Sequence, residues 1–152
     1  MHNYEQPEFS TTTIDAIATT VAEFKRSGYR FVQLCASTLE DSCDLLYAFV
    51  DPEKETPGMV GVIVNVPDGE HVPSITDWYP AAFVFENETH DLFGIDFDGI
   101  NIDFGGDFYS VAVAYPMNPR AAERKQAEQQ AQEEQEQSEP EGDAEGEEVA
   151  GE

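Results

Sequence analysis

Apolar residues recur every three or four positions near the start of the chain. The set is Ile14, Ile17, Val21 and Phe24. This spacing predicts an amphipathic helix over residues 13–27 that ends at Gly28 and turns one apolar face inward. A second helix is predicted over residues 80–93, because Pro80 suits a first helical turn and Gly94 is a common C-terminal stop.

Three runs of strand-like composition lie between the two predicted helices: 30–36, 43–50 and 58–66. The middle run is apolar on both faces, as a covered central strand should be, and the third is rich in Val and Ile. Short connections between the runs favour an antiparallel meander. Alternation over residues 107–115 is compatible with one further strand, whereas residues 1–10 carry no regular pattern.

The predicted fold class is α+β, with a mostly antiparallel sheet of three to four strands covered on one face by the two helices. Residues 95–117 are expected to form an extended arm. Residues 120–137 are polar on every side, so a helix there would be marginal in water. Residues 138–152 are acidic and of low complexity, which predicts disorder. The expected organisation is one domain over 1–117 followed by an acidic tail over 118–152.

The chain is strongly acidic, with a formal net charge of −25 from 32 Asp and Glu against 7 Lys and Arg. Such a chain repels nucleic acid and anionic lipid headgroups, so contact with a membrane would need another protein as intermediary. No apolar run approaches the roughly 20 residues that span a bilayer, and the first residues lack the features of a signal peptide. These features predict a cytoplasmic location and no nucleic-acid partner.

Few residues offer metal or cofactor chemistry. The two cysteines, Cys35 and Cys43, are fewer than the four ligands of an iron–sulfur cluster or of tetrahedral zinc, and buried reduced thiols are expected. His90 does not stand in the His-Glu-x-x-His spacing of zinc proteases, and no Gly-x-Gly-x-x-Gly opens a helix. We therefore predict no catalytic residue, no metal site, no cofactor and no direct small-molecule substrate in this chain.

The most specific signal is the segment 78–95, which reads Trp-Tyr-Pro-Ala-Ala-Phe-Val-Phe-Glu-Asn-Glu-Thr-His-Asp-Leu-Phe-Gly-Ile. It resembles the signature of the family of 30 kDa subunits of respiratory complex I (NADH-quinone oxidoreductase), in which a Pro-Ala-Ala-type start precedes Glu-Arg-Glu, an Asp and Gly-Ile. The matching residues are Glu86, Glu88, Asp91, Gly94 and Ile95. The resemblance covers residues 12–117.

Two departures from the family pattern refine this resemblance. The central Arg of the signature is Asn87 here, and the long basic C-terminal extension of complex I subunits is absent. The shorter form is more similar to the corresponding subunit of energy-converting, membrane-bound nickel–iron hydrogenases. The resemblance therefore implies partners that hold a nickel–iron centre and iron–sulfur clusters, while this chain holds none.

By resemblance, the function is that of a non-catalytic structural subunit in the cytoplasmic part of such a complex. It would dock beside the catalytic large subunit and the iron–sulfur small subunit, with residues 95–117 against a partner. It would be peripheral on the inner face of the cell membrane, attached through integral subunits. The residues expected to bind partners are the signature set Glu86, Glu88, Asp91, Phe93, Gly94 and Ile95.

The acids of the signature have a physical interpretation and an alternative. Glu88 and Asp91 are three positions apart on a helix and share a face, and the chain offers few cations to pair with them. We expect Arg or Lys of another subunit to do so; the alternative is a solvated helix face. Two other functions remain open: the 30 kDa subunit of an oxidoreductase that transfers electrons from NADH or another donor to quinone, and a free-standing acidic protein-binding module.

Overall fold

A computed structural model describes residues 7–53 and 58–138. The elements follow in the order β1 Glu8–Thr12, α1 Ile14–Arg26, β2 Arg30–Thr38, β3 Ser42–Val50, β4 Met59–Pro67, β5 His71–Pro73, α2 Ala82–Phe93, β6 Asp96–Asp98 and α3 Pro119–Ser138. Both predicted helices and the three-strand meander are confirmed. Helix α2 begins two residues later than predicted and ends, as predicted, before Gly94.

The main sheet has four strands in the order β1-β4-β3-β2. Strand β3 pairs antiparallel with β2 and β4, and β1 pairs parallel with β4. The predicted mostly antiparallel α+β sheet is therefore confirmed. Its fourth strand is Glu8–Thr12, which corrects the prediction that residues 1–10 are irregular. This strand is largely exposed at the sheet edge, so its residues show no core-facing alternation.

A second correction concerns residues 107–115, which form no strand although their sequence alternates. Most of these side chains are exposed on both sides of the alternation, and a strand needs a neighbouring strand for its backbone groups. The arm predicted over 95–117 begins with strand β6 and is irregular only after it. From here on, the name arm means the irregular residues 99–118 between β6 and α3. The short strands β5 and β6 pair parallel to each other just before it.

The core lies between one sheet face and the two helices. Alternate residues of β3 and β4 are buried there, and they pair across the strands as Leu45 with Val64 and Tyr47 with Val62. Ile17 and Val21 of α1 are fully buried in the same cluster. Burial of each such side chain contributes roughly 1.5–3 kcal/mol, so this face fixes the register of the sheet.

The chain divides into two compact units, Met1–Ala122 and Glu123–Glu152. Helix α3 corresponds to the helix predicted over 120–137. The disorder predicted for 138–152 falls outside the described residues, except at Ser138. Among the described helices, none is both long enough and apolar enough to cross a bilayer.

Candidate functional site

Helix α2 buries polar side chains where an ordinary core helix buries apolar ones. Four of its polar residues are at most 3% exposed: Glu86, Asn87, Thr89 and Asp91. Burial of a polar group costs free energy unless a hydrogen bond replaces the lost water. The hydrogen-bond partners of these side chains therefore show which parts of the chain helix α2 holds in place.

Glu86 holds the turn that precedes the helix. Its carboxylate accepts hydrogen bonds from the Ser74 hydroxyl at 2.6 Å and from the Ile75 backbone N–H at 2.8 Å. Burial raises the pKa of Glu86 to about 7, although both hydrogen bonds act to lower it. The nearby Tyr47 hydroxyl is buried without a hydrogen-bond partner among the described residues, and its pKa is raised by burial and by the charge of Glu86.

Asn87 ties the arm to the helix. Its amide nitrogen donates to the carbonyl oxygens of Phe83 at 2.7 Å and Ile102 at 2.9 Å. Its amide oxygen accepts from the Phe104 backbone N–H at 2.9 Å. A guanidinium has no acceptor atom, so an Arg at this position would leave the Phe104 N–H without this bond. The departure from the family pattern at position 87 therefore matches the path of the arm.

Asp91 and Glu88 hold the next part of the arm through the same residue. Asp91 Oδ2 accepts from the Tyr109 backbone N–H at 2.7 Å, and Glu88 Oε2 accepts from the Tyr109 hydroxyl at 2.8 Å. The Glu88 bond raises the pKa of Tyr109. His90 Nδ1 lies 3.1 Å from Asp91 Oδ1. Both acids that were predicted to share a helix face thus contact groups within this chain.

The end of the arm is fixed against the C-terminus of α2. The Met117 N–H donates to the Leu92 carbonyl at 2.9 Å, and the Asn118 side chain donates to the Phe93 carbonyl at 3.1 Å. Gly94 has φ +70°, and a Cβ there would lie 2.6 Å from the Cβ of Ala121. Glycine is required at this position because the close approach of the returning chain leaves no room for a side chain.

The outward side of the arm is rich in large apolar residues. Of the eleven exposed large hydrophobic residues in the described part of the chain, six lie between 102 and 117: Ile102, Phe104, Tyr109, Val111, Val113 and Met117. Val113 is 67% exposed. Asp103 and Asp107 are exposed in the same segment, and the sequence has no Lys or Arg from residue 58 to 119. The arm is thus an anchored apolar surface in acidic surroundings, a combination typical of protein interaction sites.

The predicted signature residues divide by exposure. Four of them are buried within the chain: Glu86, Asp91, Gly94 and Ile95. Glu88 and Phe93 are partly exposed and line a cleft of about 260 Å³ between β2, α2 and Met117. Only these two side chains of the set are open to direct contact from outside. The roles of Tyr109 and Asn118 were not predicted, because no spacing rule links a helix to an irregular segment that follows it.

The cysteines and possible metal ligands form no centre. Cys35 is exposed and Cys43 is buried, which corrects the expectation that both thiols are buried. Alternation along β2 explains the difference, since Cys35 faces away from the core that its neighbour Leu34 enters. Within the described residues, no group of three or more His, Cys, Asp or Glu side chains is placed to hold a metal ion. That the chain works without a cofactor stays a prediction.

Comparison with known proteins gives a family and a curated relative. The family model of the respiratory-chain NADH dehydrogenase 30 kDa subunit matches residues 8–102. An NADH-quinone oxidoreductase subunit of Sinorhizobium medicae (strain WSM419) is 34% identical over 83 residues, which is 51% of this chain and 40% of that protein. The chain therefore spans well under half the length of this curated relative.

A solved structure also matches. It is a chain of the membrane-bound sulfane sulfur reductase, described as an archaeal respiratory membrane complex. The match has a TM-score of 0.64 at 22% sequence identity, and it covers 78% of this chain and 72% of that one. At this identity the likeness is one of fold.

Proposed function

Since the chain belongs to the respiratory-chain NADH dehydrogenase 30 kDa subunit family, with more than half of its residues matched, we propose that it is a non-catalytic assembly subunit of a complex I-like respiratory complex. Its task is to hold other subunits together, while the electron chemistry belongs to those subunits. The archaeal membrane complex whose chain shares this fold is consistent with that role. The subunit is peripheral and reaches the membrane through integral partners.

The observation that carries this proposal is the arm. An irregular segment seldom keeps a fixed path unless its backbone groups are bonded, and here buried side chains of α2 bond it at Ile102, Phe104 and Tyr109. The bonds turn the polar backbone of the arm toward the helix and leave its apolar side chains outward. A partner subunit that covers those side chains removes them from water, at roughly 25 cal/mol per Å² of apolar area.

The acidic surroundings define the partner further. With no Lys or Arg between residues 58 and 119, and with Glu88, Asp103 and Asp107 close to or within the arm, the matching partner surface is apolar at its centre and carries Arg or Lys at its rim. Glu88 and Phe93 contact the partner directly, and the buried members of the signature act by positioning the arm. All six signature residues thus keep a role in partner binding, two by direct contact and four by positioning the arm.

For the identity of the complex, we favour an energy-converting, membrane-bound nickel–iron hydrogenase. The arm would then dock on the large subunit and the iron–sulfur small subunit, which hold the nickel–iron centre and the clusters. The resemblance of residues 12–117 to the corresponding subunit of these hydrogenases supports this assignment. A quinone oxidoreductase is the second candidate, and the relative from Sinorhizobium medicae supports it. A free-standing acidic binding module is disfavoured, because it gives the family signature no role.

Affinity purification of the tagged chain in mild detergent tests the proposal. Co-purification of a nickel–iron large subunit with an iron–sulfur small subunit would support the hydrogenase. Recovery of quinone-oxidoreductase subunits instead would support the second candidate and leave the assembly role intact. Recovery of ribosomal or other basic proteins alone would overturn the assembly role.

A further inference from the structure

A cleft of about 300 Å³ lies at the opposite end of α2 from the end of the arm. It opens between the last turn of α1, the start of β2 and the turn before α2. Three aromatic side chains line it, Tyr29, Phe31 and Tyr79, together with the cations Lys25 and Arg30. Helix α2 has 12 residues and is about 18 Å long, so this cleft lies far from the end of the arm at Met117.

The aromatic floor of the cleft is held in place by several contacts. The Tyr79 hydroxyl donates to the Tyr29 carbonyl at 2.8 Å. The Tyr29 ring stacks on Phe24 with centroids 4.7 Å apart, and the Phe31 and Tyr79 rings are 5.7 Å apart. The aromatic rings are therefore held in place without a ligand, which lowers the entropy cost of binding.

The two cations at the rim are unusual in a chain of charge −25 with only seven Lys and Arg. Lys25 Nζ lies 4.8 Å from the centroid of the Tyr79 ring. Neither Lys25 nor Arg30 forms an ion pair with any described residue, and both side chains are exposed. One carboxylate contacts the floor: Asp51 accepts from the Tyr29 hydroxyl at 3.2 Å. The rim thus presents positive charge beside aromatic surface.

We propose that this cleft binds an acidic segment of a partner protein, by taking up one carboxylate side chain together with an adjacent aromatic residue. The guanidinium of Arg30 offers the planar pair of donors that a carboxylate accepts, and the tyrosine and phenylalanine rings receive the aromatic neighbour. The volume is at the lower end of ligand sites, so it suits one or two side chains. Nucleic acid and anionic membranes carry extended negative charge that the rest of this chain repels.

The test uses the full chain and short acetylated, amidated peptides in an NMR titration of backbone amides. The probe is Ser-Phe-Asp-Ser, with Ser-Phe-Asn-Ser and Ser-Ala-Asp-Ser as matched peptides that lack the charge or the ring. The expected result is a shift of the amides of Tyr29, Phe31 and Ala81 by the probe. Either matched peptide should bind at least ~10-fold more weakly than the probe, because one charge-assisted contact or one ring contact is lost. The variant Arg30→Gln should bind the probe at least ~10-fold more weakly than the unaltered chain.

Arg26→Gln is the control variant, since Arg26 lies beside Lys25 in α1 but does not line the cleft. It should bind the probe like the unaltered chain. Equal weakening by Arg26→Gln would overturn the inference in favour of a diffuse basic patch, and equal shifts by sodium acetate would overturn it in favour of a small-anion site. If a chain ending at Ser138 shows the same amide shifts without peptide, the occupant is the chain's own acidic segment and the partner assignment fails. The assembly role does not depend on any of these outcomes.

Discussion

The buried carboxyl of Glu86 makes the stability of this protein depend on pH in a direction opposite to that of most acids. Burial raises the pKa of Glu86 from its ordinary value of 4.5 to about 7 in the folded chain. Between these values the unfolded chain releases the proton and the folded chain keeps it. The contribution of Glu86 to stability is therefore fully present below pH 4.5 and is lost as the pH rises through 7.

The size of the effect follows from the same values. A rise from 4.5 to about 7, at about 1.4 kcal/mol per pKa unit, corresponds to about 3 kcal/mol in the free energy of unfolding at high pH. Between pH 5 and pH 8 the expected loss is about 2–3 kcal/mol, since part of the change already occurs below pH 5. Glu86→Gln removes the titration and retains an amide oxygen that accepts from the Ile75 N–H.

Urea unfolding at pH 5 and pH 8 measures this contribution as a difference between variants. The unaltered chain should lose about 2–3 kcal/mol more than Glu86→Gln over this range. Glu88→Gln, on the partly exposed side of the same helix, is the matched control and should follow the unaltered chain. Full pH dependence in Glu86→Gln would show that Glu86 does not cause it and that its carboxyl is ionised in the folded chain near neutrality.

Three further predictions concern the anchoring of the arm. Asn87→Ala leaves the Phe104 N–H and the Ile102 carbonyl without their bonds and should cost ~1–3 kcal/mol in urea unfolding, whereas an unchanged midpoint would show that water replaces the amide. Gly94→Ala should cost at least ~1–2 kcal/mol because of the positive φ and the contact with Ala121; thermal unfolding measures it, and a neutral result would mean that the returning chain shifts freely. Asp91→Asn can still accept from the Tyr109 N–H and should keep assembly largely intact, whereas Asp91→Ala should weaken co-purification; equal assembly by both would remove Asp91 from the positioning role.

The helices and the central strands were predictable because each has its own local signal. The structure shows the helical spacing of Ile17 and Val21, because both side chains are in the core. It also shows the helix end at Gly94, because the returning chain leaves no room for a side chain there. The edge strand Glu8–Thr12 was missed, because an exposed strand has no buried face to create alternation. Conversely, alternation over 107–115 has no sheet behind it, so the pattern there carried no structural information.

The sequence located the segment that forms the candidate site but did not predict the hydrogen bonds that it makes. The signature located α2, and its acids were expected to seek cations on another subunit. In the structure, Asp91 is buried and accepts a backbone N–H 18 residues later in the sequence. A helix whose polar face binds the backbone of an irregular segment leaves no periodic trace, because the partner atoms are the same in every residue type.

We propose that the chain assembles a respiratory complex through the outward face of the arm. The most direct measurement is quantitative co-purification of partner subunits with the tagged chain and with the double variant Val111→Asp, Val113→Asp, both positions being exposed. Met59→Asp, at an exposed apolar position outside the arm, is the control. The arm variant should stay folded and lose at least ~10-fold of its bound partners, while the control keeps them. Any complex that still forms should retain its activity per mole of large subunit. Full recovery of partners by the folded arm variant would show that the outward face of the arm is not the docking surface.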